Sequence, residues 1–363
     1  MSNLTLYLSF APGVFFKSLK SRFFPKKYSG NADEICHQII DDCWNGQFFQ
    51  TSTTNFPQFW TRDFGWCCKS LVQLGYKKQV HQTLRYALAR FQKAGEITTT
   101  ITPKGKAFNV PMPAVDSLPY FIHSLKISGF PYRAHSKFLN WQIREFFEEF
   151  IDPLTGLVKP KHFSSMKDLS IRKSSCYDNC LVAMLAKDLK TMKLKSPFDK
   201  YSYPKLIKQH FWNSRYFYDD LTKADYVAGD ANIFPFALGI IQDQEMLESA
   251  LAEIQKAGLD LPLPLKYTNS EAKPKFIWSE IFAKNYEFNS VWTHMGPLYI
   301  GLVKKIDPKL SKKYKKDYTE MIQKYQGYLE VFSTTKNNQL KPFSSPFYYC
   351  DRAMLWAANY LTL

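Results

Sequence analysis

The chain lacks the marks of several protein classes, and each absence narrows what it can be. Its seven cysteines (Cys36, Cys43, Cys67, Cys68, Cys176, Cys180 and Cys350) are odd in number. Cys67 and Cys68 are adjacent, and Cys176-x3-Cys180 has no second His/Cys group to complete a tetrahedral site. This argues against zinc and against a disulfide scaffold. Reduced thiols in a cytoplasmic protein are the expectation, with no metal and no other cofactor. Basic residues outnumber acidic ones, 48 to 32, but the lysines are dispersed. Only Lys17–Lys27 and Lys309–Lys316 cluster, and neither cluster is interleaved with a nucleic-acid motif. No nucleic-acid partner is expected. The N-terminal apolar stretch has no preceding basic residue and no small-residue cleavage site, which argues against a secretory leader. Interrupted by Pro12 and Gly13, it falls short of the roughly 20 residues that cross a bilayer, so no stable membrane insertion is expected. Residues 1–30 are expected to pack across the outside of the domain. Attachment at a membrane surface through Phe15, Phe16, Phe23, Phe24 and nearby lysines is the alternative. Linkers and low-complexity tracts are also missing, so residues 31–363 read as a single domain.

What is present is helical periodicity and a wealth of aromatics. Apolar residues make up 45% of the chain, which carries 30 Phe, 22 Tyr and 8 Trp. Most of these rings suit packing between helices, and the remainder suit sugar faces. The pattern predicts helices over 31–46, 64–75, 77–94, 115–128, 133–150, 179–193, 202–212, 231–242, 244–257, 293–305, 308–330 and 347–361. Asn31 or Asp33 caps the first, Gly75 and Gly95 stop the second and third, and Asp307-Pro308 opens the eleventh. Short connections join each even helix to the next odd one, and long connections join odd to even. The long ones gather many Trp, Asp, Asn and Tyr residues. The fold class these features predict is all-α: an (α/α)6 toroid of six helical hairpins, with long loops at one rim and a few short strands, at 96–102 and 157–161.

Polar clusters stand at the heads of the even helices: Trp60-Thr61-Arg62-Asp63, Val115-Asp116-Ser117, Cys176-Tyr177-Asp178-Asn179, Gly229-Asp230-Ala231-Asn232 and Trp292-Thr293-His294. Any single Asp among them could serve as an N-cap. All five opening even helices means that they share one rim, where long loops are usually functional.

Phe59-Trp60-Thr61-Arg62-Asp63-Phe64 and Pro113-Ala114-Val115-Asp116-Ser117 resemble segments of neutral/alkaline invertases, amylo-α-1,6-glucosidases and trehalases, six-hairpin glycoside hydrolases. Ser175-Cys176-Tyr177-Asp178-Asn179 is similar to their acid-bearing segment, and Tyr328-Leu329-Glu330-Val331-Phe332 to their base-bearing segment. The likeness spans roughly residues 55–361 and departs at Asn179, where invertases carry Arg. It implies inverting hydrolysis of an α-linked glucosyl-type disaccharide or oligosaccharide, without metal. Asp178 would be the acid and Glu330 the base, with Asp116 as reserve acid and Glu280 or Glu287 as replacements for Glu330. Trp60, Arg62, Asp63, Asp116, Tyr177, Asp230, Trp292 and His294 would bind the sugar. Rival readings are a non-catalytic carbohydrate-binding protein, or a sugar epimerase or uronyl hydrolase on the same toroid. An epimerase would want paired histidines, and of the seven only His294 lies in a cluster.

Overall fold

The computed structural model describes Gly13, residues 15–335 and residues 337–363. Much of the N-terminal segment expected to pack across the domain, residues 1–12 and 14, lies outside the described residues. Residues 15–23 are helical. Among the described residues twelve further α-helices follow: α1 (Ala32–Cys43), α2 (Thr61–Gln73), α3 (Lys77–Ala94), α4 (Ser117–Ser128), α5 (Ser136–Phe150), α6 (Cys176–Met192), α7 (Tyr203–Phe211), α8 (Gly229–Ala237), α9 (Gln244–Lys256), α10 (Met295–Val303), α11 (Pro308–Tyr325) and α12 (Ala357–Leu361).

The even helices form a closed inner ring. Each packs on the next, α2 on α4, α4 on α6, α6 on α8, α8 on α10 and α10 on α12, and α12 returns to α2. The odd helices lie outside: α3 against α2 and α4, α5 against α4, α7 against α6, α9 against α8, and α11 against α10 and α1. Residue chemistry explains which helix goes where. Helix α5 buries only the stripe Leu139, Gln142, Ile143, Phe146 and Phe150, so one side can face water. Helix α6 buries every residue from Cys176 to Leu185, so it must be surrounded. Gly65 lets α2 and α4 approach: a Cβ there would lie 2.5 Å from Tyr120 Cβ.

The expected stop and start signals act as read. Asn31 accepts from Asp33 and Glu34 N–H groups in a capping box, Asp307 caps α11 ahead of Pro308, and Gly95 ends α3 with left-handed backbone. Two three-stranded antiparallel sheets sit among the long loops: β1 (Phe59–Trp60), β2 (Thr100–Ile101) and β3 (Ala107–Phe108), then β4 (Val291–Trp292), β5 (Val331–Thr334) and β6 (Leu340–Pro342). The strand expected at 157–161 is only a bridge between Ile151 and Val158.

Two expectations fail at the C-terminal end. Helix α11 stops at Tyr325, closed by Gln326 in a left-handed conformation, so Glu330 lies beyond the helix, immediately before β5. The last helix begins at Ala357 rather than near 347. The reason is hydrogen bonding: Ala353 N–H turns to the Asp351 carboxylate and Asp351 N–H to Glu330, bonds incompatible with an unbroken helical ladder.

Candidate functional site

The inner helices α2, α4, α6, α8 and α10 all present their first turns and the loops before them on one rim, as the polar clusters predict. There the chain forms a narrow open cavity of about 90 Å³, smaller than the roughly 300–1,000 Å³ usual for small-ligand sites. Its walls are aromatic, built from Phe56, Trp60, Trp66, Tyr286, Trp292 and Trp356. Four carboxylates reach it, Asp63, Asp168, Glu287 and Glu330, together with the guanidinium of Arg62.

Glu330 is held from several sides. Its backbone N–H donates to Asp351 O at 3.0 Å, and its carbonyl accepts Thr293 N–H at 3.2 Å, beside the β4–β5 pairing. On the side chain, the Tyr286 hydroxyl donates to Oε1 at 2.5 Å, and Asp351 N–H donates to Oε2 at 3.1 Å. The Tyr348 hydroxyl also donates to Oε2. Burial pushes the carboxyl up to about 7, against the two tyrosine hydroxyls, which favour the ionised form. Asp351 is wholly buried. It accepts from the Ser52 and Thr54 hydroxyls and from Asn55 N–H at 2.7 Å, joining the first long loop to the last.

Arg62 gathers a second group of carboxylates. It pairs with Asp116 at 3.3 Å, Asp168 at 3.6 Å and Asp63 at 3.9 Å, donates to Ser165 O, and lies 5.6 Å from the Trp66 ring. Asp63 accepts from Trp356 Nε1–H at 3.0 Å. Burial raises it to about 6, opposed by Arg62 and Trp356. Asp168 accepts from the Ser164 hydroxyl at 2.5 Å, and its side chain is 27% accessible. Beneath it Glu287 takes three backbone N–H groups, Asp168 at 2.8 Å, Leu169 at 2.7 Å and Ser170 at 3.1 Å. Burial and the Asp168 charge push Glu287 up to about 8, against the N–H groups of Leu169 and Asp168.

The expected site residues divide between cavity and support. Trp60, Arg62, Asp63, Trp292 and Glu330 line the cavity. Asp178 does not. It accepts from its own helix cap, Ser175 Oγ, at 2.6 Å, and burial raises it while Arg172 and Ser175 hold it down. Asp116 is also behind the wall. It is the N-cap residue of α4 without making a cap bond. It instead accepts from Arg62 and from the Tyr177 hydroxyl at 3.4 Å. Burial raises it to about 7 despite Arg62. Tyr177 is fully buried with its ring 4.7 Å from Phe234. His294 stacks on Trp66 at 4.2 Å with planes 3° apart, and burial drives it well below the ordinary histidine range, leaving it neutral. Asp230 is completely buried and paired with Lys167 at 2.8 Å and Arg172 at 2.9 Å, which puts it out of a sugar's reach. Glu280 is turned toward Asn285 N–H.

Asp168 and the tyrosines on Glu330 were not singled out from the sequence. The available signal for Asp168 was its place in the long loop between α5 and α6, a class of segment already marked as functional. Tyr286 and Tyr348 carried no signal of their own, because they stand 44 and 18 positions from Glu330 and meet it only in the folded chain.

No family model matches the chain and no curated protein does. Solved structures do match. A rhamnosidase from Klebsiella oxytoca with rhamnose bound aligns at a TM-score of 0.62 and 10% identity, covering 91% of this chain, which spans 62% of the rhamnosidase. A glycosidase in complex with glucose aligns at 0.64 and 10% identity, over 91% of this chain and 94% of that one. A mannosylglycerate hydrolase from Thermus thermophilus aligns at 0.58 and 10% identity, over 91% and 98%. At such low identity the likeness is one of architecture. The chain has the six-hairpin (α/α)6 toroid seen in these glycosidases.

Proposed function

We propose that this protein is a glycoside hydrolase that cleaves an α-linked glucosyl-type disaccharide or oligosaccharide by an inverting acid/base mechanism. The observation that carries this reading is one aromatic-walled cavity lined both by Glu330 and by Asp168 with Arg62. Glu330 is the base. Three donors orient its carboxylate, so an attacking water can lose its proton to a fixed oxygen. Asp168 replaces Asp178 as the acid, because a group that protonates a leaving oxygen must touch the substrate, and Asp168 faces the cavity while Asp178 does not. Asp63 and Arg62 offer an acceptor and a donor side by side, suited to vicinal hydroxyls, and Trp60, Trp66 and Trp292 offer ring faces to the sugar. The glucose found in a glycosidase of the same fold agrees with a glucosyl subsite. Among the described residues no histidine lines the cavity, which leaves an epimerase without the base pair it would use.

The test is a hydrolysis panel of sucrose, trehalose, isomaltose and maltooligosaccharides, with the anomer of the released sugar read by NMR. Asp168→Asn and Glu330→Gln are each expected to lower kcat/KM at least about a hundredfold. Asp178→Asn is expected to lower it less than Asp168→Asn. Near-wild-type rates in both cavity variants would reject the assignment, and sugar binding without turnover would indicate a non-catalytic carbohydrate-binding protein. A retained anomer would reject inversion alone.

A further inference from the structure

The helical residues 15–23 are laid on the domain with their polar side inward. Ser18 and Ser21 are buried. The Ser18 hydroxyl donates to Tyr349 O at 3.1 Å and accepts Tyr349 N–H at 2.5 Å, while the Ser21 hydroxyl donates to the Asn55 carboxamide oxygen at 3.4 Å. The apolar side faces outward. Phe16, Leu19 and Phe23, at i, i+3 and i+7, and the adjoining Phe24 are 66%, 38%, 67% and 77% exposed. An amphipathic helix that only covered the domain would present the opposite face.

This stripe continues across the surface. The Phe15 ring lies 6.4 Å from Phe347, Phe347 lies 5.2 Å from Phe282, and Phe282 lies 5.8 Å from Trp278. Trp278, Ile281 and Phe347 are 75%, 68% and 50% exposed. Monomeric proteins rarely leave a contiguous run of large aromatic side chains in water without a partner for it. Its border is cationic: Lys20, Arg22 and Lys27 are exposed beside the stripe, whereas Lys26 is paired with Asp42 at 2.5 Å. Glu280, between Trp278 and Phe282, turns its carboxylate back to Asn285 N–H.

We propose that this face adsorbs to an anionic lipid bilayer. Phe16, Phe23, Phe24 and Trp278 would enter the headgroup region, and Lys20, Arg22 and Lys27 would meet acidic headgroups. The combination of aromatic anchors with flanking cations is what peripheral adsorption requires. It needs no spanning segment, and among the described residues no helix is long and apolar enough to cross a membrane. Charge selects lipid over a second copy of this chain, since two such faces would bring their cations together. The inference does not rest on the hydrolase reading, as none of these side chains lines the cavity.

The test is co-sedimentation of the full chain with phosphatidylcholine vesicles, with and without phosphatidylserine, at low and high salt. Binding is expected only to the phosphatidylserine vesicles, and high salt should release it. Phe23→Ser with Phe24→Ser should cut the bound fraction at least about tenfold. Lys20→Glu with Arg22→Glu should weaken binding about fivefold or more per charge, with thermal midpoint and sugar hydrolysis unchanged. The charge variant keeps the test decisive if the Phe variant fails to fold. Equal retention on both vesicle types would overturn the proposal. So would undiminished binding by the charge variant, or a dimer that dissociates in the Phe variant while vesicles bind nothing. Binding that arises only once residues 1–12 are removed would also overturn it, identifying that segment as the occupant.

Discussion

Glu330 illustrates how a side chain proposed as a catalytic base can be costly to the fold. The residue is 3% exposed, and burial pushes its carboxyl up to about 7. A carboxyl raised in the folded state stabilises the fold most at low pH, below its unfolded value. That contribution is lost as pH rises through the folded value. The window therefore runs from about 4.5 to about 7. Glu330→Gln keeps the shape, removes the charge, and lets the Tyr286 hydroxyl turn to accept from the new amide. We expect this variant to gain on the order of 1–3 kcal/mol relative to wild type between pH 5 and pH 8, while losing hydrolysis. Urea unfolding of both proteins at the two pH values measures it. A stability difference that is the same at both would show that the buried charge is not the cause. The acidic limb of kcat/KM should also fall near pH 7, where the base takes up its proton.

At the scale of elements, the site depends on loops that fix one another. Glu287, in the loop between α9 and α10, holds three consecutive N–H groups of the loop between α5 and α6. The bonds set the position of Asp168. Glu287→Gln keeps one oxygen and turns an N–H group toward a backbone donor, so at least one bond is lost and the loop shifts. The expected result is a fall in kcat of about 10–100-fold with a smaller change in KM, and a stability loss of about 1–3 kcal/mol. Steady-state kinetics and denaturant unfolding separate the two effects, and an unchanged kcat would remove Glu287 from the positioning machinery. This dependence also explains what could be read from the chain alone. Helices were legible because apolar spacing and caps such as Asn31 and Asp307 are local. Arg62, Asp63, Trp60 and Trp292 were legible because they adjoin helix starts or a strand. Asp168 was not, since its exposure is decided by Glu287 and Arg62, each more than a hundred positions away from it. Asp178 shows a related effect: its cluster opens an inner helix, but its carboxylate turns back to Ser175 Oγ and does not line the cavity. The final helix was overestimated because tertiary bonds at Asp351 and Ala353 outweigh an apolar run.

The whole molecule raises the question of why a toroid with so many apolar side chains spends charge in its interior. Lys167 and Arg172 are buried with Asp219 and Asp230, Lys167 lying 2.8 Å from Asp230 and Arg172 2.9 Å from it. The Tyr226 hydroxyl donates to Asp219 at 2.8 Å, and Arg172 donates to Ser165 Oγ at 2.7 Å. The cations belong to the loop that carries Asp168, whereas Asp230 belongs to α8 of the inner ring. The cluster thus fastens the loop that carries Asp168 to the ring by directional bonds that apolar packing could not supply. Removing one partner leaves an uncompensated buried charge, so Asp230→Asn should destabilise by about 3–5 kcal/mol. Removing a matched pair should not: Lys167→Met with Asp230→Leu leaves Arg172 with Asp219 and should recover at least half of that loss. If the cluster exists to place Asp168, hydrolysis will remain depressed in the stable double variant, with kcat reduced more than KM is raised. If instead the double variant regains both stability and full turnover, the charges serve folding alone, and the position of Asp168 is fixed by Glu287 and Arg62 without them.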